Sequence, residues 1–130
     1  ALLNNRRIRV SGRFELNQCL IGTGFPVVDQ SMLDRYLAIL KTMIQKTAGA
    51  RREGAASLDL CTLAAGRTDA FFEFNLKPWD MAAGALIVQE AGGVVTDFEG
   101  EQNWLDSGNI VAANPKLLVQ MLKILAQHPA

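Results

Sequence analysis

The stretch Asp69-Ala70-Phe71-Phe72-Glu73-Phe74-Asn75-Leu76-Lys77-Pro78-Trp79-Asp80-Met81-Ala82-Ala83-Gly84 decides the fold. Its first six residues have the aromatic content of a strand, and Pro78 bars a helix from running back through them. A helix then opens near Asp80. Leu86, Ile87, Val88 and Ala91 carry it to Gly92-Gly93, where the first glycine supplies a left-handed terminating conformation. Val94-Val95-Thr96 follows as a strand, so strand, helix and strand succeed one another as in a layered α/β domain.

The pattern extends in both directions. Upstream, Ala55 to Ala65 reads as a small-residue helix ended by Gly66, built for close packing, and is preceded by an extended stretch around Arg51 and Arg52 that reaches Gly54. From Gln30 to Thr47, Leu33, Tyr36, Leu37, Leu40, Met43 and Ile44 recur at helical spacing and predict one apolar stripe. Cys19-Leu20-Ile21 predicts a buried strand leaving its sheet at Gly22, Gly24 and Pro26, and Arg7-Ile8-Arg9-Val10 alternates at the strand period before Gly12. Downstream, Asn109 to Ala113 is a further strand. Asn114-Pro115 then pairs an N-cap with proline at the first helical position, ahead of Leu117, Leu118, Met121, Leu122 and Leu125.

Size and charge narrow the possible roles. A chain of 130 residues, 49% of them hydrophobic, buries a real core, and residues 1–130 are expected to form a single domain. Its 13 basic and 13 acidic side chains cancel, leaving no global field to collect nucleic acid or an anionic membrane. Cys19 and Cys61 lie far apart, which fits free thiols in a cytoplasmic, reducing setting better than a disulfide scaffold or a zinc site. No apolar run approaches the roughly 20 residues that span a bilayer. Ala1 is not Met, and Ala1-Leu2-Leu3-Asn4-Asn5 looks like a hairpin met partway through, so a fragment or processed chain is expected.

Several familiar sites are excluded. Gly22-Thr23-Gly24 lacks the third glycine of a dinucleotide fingerprint, and no phosphate-loop lysine motif occurs. The single histidine, His128, is expected to be solvent-exposed on a frayed tail, a poor base for a serine or cysteine hydrolase. Arg6, Arg7, Arg9 and Arg13 read as a solvated face. From Asp59 to Asp106 there are 9 acids against Arg67 and Lys77 only, a stretch that suits cations or plain surface.

Within the opening stretch, Glu73 stands at a strand end and Asp80 at a helix start, joined by a loop that Pro78 and Trp79 would stiffen. Magnesium takes hard oxygen ligands and often only one or two protein carboxylates, so Asp80 suits that ion. On spacing alone Asp80 is also an ordinary helix N-cap and Glu73 an ordinary outward strand residue. Ala82, Ala83 and Gly84 would let another segment approach the helix closely.

The run Trp79-Asp80-Met81-Ala82-Ala83-Gly84, continued by Glu90-Ala91-Gly92-Gly93, resembles the C-terminal signature of the inositol monophosphatase family. The match extends through Arg51-Arg52-Glu53-Gly54-Ala55-Ala56-Ser57-Leu58-Asp59-Leu60, Ala64 to Asp69, and Gly108 to Pro115. The resemblance implies the C-terminal half of that sugar phosphatase fold and a Mg²⁺-dependent phosphomonoesterase acting on inositol monophosphate. It implies Asp80 as a metal ligand that also faces substrate, and Glu73 as acceptor for inositol hydroxyls. Arg51 becomes a substrate contact, with Gly54, Ala55 and Ala56 lining the sugar pocket; Ala55 replaces a threonine of some animal members, leaving only its backbone to make contact. A homodimer is implied as well.

The family's upstream glutamate and Asp-Pro-Xaa-Asp-Gly-Thr motif, which supply most metal ligands and help activate water, do not occur here. The expectation is therefore that the N-terminal catalytic half is absent and that these residues alone are inactive. The alternatives are a non-catalytic interaction domain, or a related phosphatase acting on fructose bisphosphate, adenosine bisphosphate or histidinol phosphate.

Overall fold

A computed structural model describes residues 2–3, 6–24, 30–52 and 54–129. Strands β1 (Leu2–Leu3) and β2 (Arg6–Arg7) pair antiparallel in a small ribbon. The main sheet contains β3 (Leu20–Thr23), β4 (Gly49–Arg51), β5 (Ala70–Glu73), β6 (Val94–Thr96) and β7 (Ile110–Ala113), in the order β4-β3-β5-β7-β6. β3 runs parallel to β4 and β5, whereas β7 is antiparallel to both β5 and β6.

Alternation along each strand divides the core between two helical layers. Ala70 and Phe72 of β5, with Val111 and Ala113 of β7, face α1 (Gln30–Lys46) and α5 (Pro115–Ala126). Phe71, Ile110 and Ala112 face α2 (Ala56–Ala64) and α3 (Pro78–Glu90). Glu73 therefore shares the parity of Phe71 and stands on the α2/α3 side. The close packing read from the small residues is present: a Cβ added at Gly84 would lie 2.8 Å from Leu60 Cβ and Cδ1. Asn114 caps α5 by accepting from Leu117 N at 2.8 Å.

Some expectations are corrected. Residues 8–10 are not a strand, because their polar partners lie elsewhere: Val10 N donates to Ala91 O at 3.0 Å. Just beyond, Asn114 Nδ2 donates to Ser11 O at 2.7 Å and Arg13 O at 2.8 Å. Ile8 and Val10 still turn inward, against the α2/α3 core. In α1 the buried positions are Tyr36, Ile39 and Met43, while Leu37 and Ile44 are 48% and 55% exposed, since the sheet covers an arc narrower than the apolar stripe. Pro78 starts α3 two residues before Asp80, and Trp79 is 79% exposed rather than bracing a loop. His128 is docked, not frayed: its Nε2 lies 2.8 Å from Thr42 Oγ1, and its carbonyl accepts from Arg35 Nε at 2.7 Å. A short helix, α4 (Trp104–Ser107), buries Trp104 and ends at Gly108 with φ +76°.

Both cysteines are free thiols, Cys19 buried and Cys61 half-buried. Burial, then the nearby Asp69 carboxylate, pushes Cys19 up to about 11, so it stays protonated and inert at neutral pH. Among the described residues no helix is long and apolar enough to cross a membrane.

Candidate active site

Parallel strands leave a crevice beyond their carboxyl ends, where the following helices begin. Here β5 ends at Glu73, and the helices packed on that side, α2 and α3, start at Ala56 and Pro78. Their first turns carry Asp59 and Asp80 respectively. Both of these charges act on the Glu73 carboxyl. Burial first, then the Asp59 and Asp80 charges, push Glu73 up to about 7 against the opposing Arg52 guanidinium.

Asp80 occupies the third position of α3, not the N-cap, because Pro78 takes the first helical position and Lys77 precedes it. Its Oδ2 accepts from Lys77 N at 3.1 Å, satisfying one donor of the helix end. That bond fixes the carboxylate against the helix terminus and leaves Oδ1 without a hydrogen bond to the described residues. A half-exposed, oriented carboxylate among two others, at the positive end of a helix dipole, fits a hard divalent cation. Among the described residues no group of three or more His, Cys, Asp or Glu is placed to hold a metal ion, so Glu73, Asp59 and Asp80 are not a metal site by themselves and a cation at Asp80 would take its other ligands from water, substrate or further protein.

The structure places Asp80 within electrostatic reach of Glu73. Gly54, with φ +94°, and Ala55 lead into Ala56 at the start of α2. Arg51 is exposed and lines a cavity of about 340 Å³ with Leu20, Leu58, Thr62, Arg67 and Thr68, a lining that includes neither acid. Arg52 is the arginine whose charge reaches Glu73. Asp59 was not singled out from the sequence. The available signal was an acid inside an otherwise apolar helix, and it is only 4% exposed.

The family model described as "Inositol monophosphatase family" matches residues 1–130. The chain belongs to the inositol monophosphatase family. A SuhB protein of Neisseria meningitidis is 77% identical over 128 residues, covering 98% of this chain and 49% of that protein. Nus factor SuhB of Pseudomonas aeruginosa is 55% identical over 130 residues, covering 98% and 48%. Among family structures, the extragenic suppressor protein SuhB of Bartonella henselae superposes with a TM-score of 0.91 at 44% identity, over 97% of this chain and 48% of that one. Inositol monophosphatase from Anabaena gives 0.86 at 35% identity, over 97% and 50%. The layered α/β fold is that of the family, and the chain spans about half the length of the curated relatives it matches.

Proposed function

We propose that these residues form the C-terminal, substrate-facing half of a Mg²⁺-dependent phosphomonoesterase that hydrolyses inositol monophosphate. The observation that carries this reading is the placement of Glu73 at the end of β5 with Asp59 and Asp80 in the first turns of α2 and α3, near enough for both charges to act on the Glu73 carboxyl. Acidic side chains gathered at the starts of two helices favour a cation or a donor-rich ligand between them.

Asp80 would hold Mg²⁺ through its carboxylate, with the remaining ligands supplied outside these residues. Magnesium, when bound, neutralises charge that develops on phosphoryl and leaving-group oxygens. Glu73 accepts hydrogen bonds from ring hydroxyls and thereby orients the ester; it transfers no proton. Gly54, Ala55 and Ala56 present backbone to the sugar at the start of α2, where N–H groups suit an anion. Arg51, exposed at the end of β4, would contact substrate through its guanidinium.

The test is phosphate release from inositol 1-phosphate by the full-length protein with Mg²⁺. Asp80→Asn keeps the volume, removes a charged ligand and is expected to reduce turnover about 100-fold or more. An unchanged rate and magnesium dependence would refute the assignment. The 130 residues alone are expected to show no activity.

The names of the relatives favour a second reading, since the Pseudomonas protein at 55% identity is a Nus factor. In that reading the full-length protein also acts as a Nus factor, and Asp80→Asn separates the two roles by abolishing hydrolysis alone.

A further inference from the structure

Gly24 follows the last residue of β3, and its backbone does not explain why it is glycine. It is absent from the left-handed conformations found among the described glycines, so an L side chain suits its φ. The explanation lies in what occupies the space. A Cβ built on Gly24 would collide with Glu73 Oε1 and would lie 2.7 Å from Cδ and 3.3 Å from Oε2. These are its three nearest atoms, all from one carboxylate. Real Cβ atoms do not approach so closely, so a methyl group there and the present seat of Glu73 exclude each other.

The surroundings fix both sides of this contact. Thr23 lies opposite Phe72 in the parallel ladder, which brings the next residues, Gly24 and Glu73, side by side. Thr23 Oγ1 is 3.1 Å from the Tyr36 hydroxyl in a buried pair. The Tyr36 ring packs on Phe72 and Phe74, with centroids 5.9 and 6.1 Å away, so the residues flanking Glu73 are held by the same side chain that holds β3. With both strand ends anchored, the mobile party is the Glu73 side chain.

We propose that Gly24 is a specificity-determining position: its missing side chain seats the Glu73 carboxylate where polyol hydroxyls are received, and any larger residue turns that carboxylate away. The proposal rests on the reading of Glu73 as hydroxyl acceptor. It predicts a defect confined to substrates that offer a ring of hydroxyls.

The test uses the full-length protein with inositol 1-phosphate and p-nitrophenyl phosphate. Gly24→Ala is expected to raise KM for inositol 1-phosphate about ten-fold, the value of one lost hydrogen bond, while kcat/KM for p-nitrophenyl phosphate stays unchanged. Adding Glu73→Asp to Gly24→Ala shortens the side chain and is expected to recover part of the lost KM. Equal losses on both substrates, or no recovery, would overturn the proposal. Should Gly24→Ala also lower the melting temperature, Glu73→Ala in the same chain restores it if the collision is with Glu73; no restoration overturns the proposal. Glu73→Gln separates the two levels: if it leaves substrate preference intact the reading of Glu73 fails, and if it abolishes preference while Gly24→Ala does not, only the role of Gly24 fails.

Discussion

Replacing Glu73 with glutamine removes a carboxyl that burial and two neighbouring acids hold in its protonated form. Its pKa rises from 4.5 to about 7. At about 1.4 kcal/mol per pKa unit, ionising it in the native state costs at most roughly 3 kcal/mol. Because the side chain is only partly buried, solvent screening reduces this to about 2 kcal/mol. The folded pKa lies above the unfolded one, so the native state binds the extra proton between pH 4.5 and about 7. Stability from this group is complete below that window and is lost as pH rises through it. Glutamine keeps the shape and cannot ionise. Thermal denaturation of wild type and Glu73→Gln in chelator-treated buffer is therefore expected to give equal melting temperatures near pH 4.5. At pH 8 the variant should melt higher by roughly 6 °C, the shift that about 2 kcal/mol produces in a domain of this size. Taking the difference between the two proteins removes the background titration of other groups. A gap that does not change with pH, or a variant less stable at pH 8, would refute the claim that the carboxylates oppose one another.

Two further substitutions probe the scaffold. Gly84→Val forces side-chain atoms into Leu60, whose Cβ and Cδ1 would lie 2.8 Å from a Cβ added at Gly84, and is expected to destabilise the chain by about 2 kcal/mol in urea titration. Asn114→Ala removes the cap on Leu117 N and both bonds to the Ser11 and Arg13 carbonyls, and should cost about 3 kcal/mol while accelerating amide exchange across residues 10–14.

The elements were legible where local chemistry agrees with tertiary packing. Asn114-Pro115 states a helix start in two residues, and Gly92, with φ +90°, ends α3 as its sequence suggests. Periodicity found α1 but not its buried arc: Leu37 and Ile44 share the apolar stripe with Met43, yet only the sheet's position decides which of them it covers. The short α4 has no period to read and forms around the burial of Trp104. At the site, the sequence placed Glu73 at a strand end and Asp80 in a first helical turn, but proline's preference for the first helical position, already visible at Pro78, moves Asp80 off the cap. Asp59 and Gly24 were not legible, because each matters through a carboxylate distant in sequence: Asp59 by its charge on Glu73, Gly24 by the space it leaves.

Whether Asp80 holds a divalent cation is decided by manganese-soaked crystals of the full-length protein, measured at the metal's absorption edge. An anomalous peak is expected within about 2.5 Å of an Asp80 carboxylate oxygen, with Glu73 directed at the substrate position beyond it. Bound manganese elsewhere in the molecule, with the Asp80 carboxylate turned away from every cation, would contradict it.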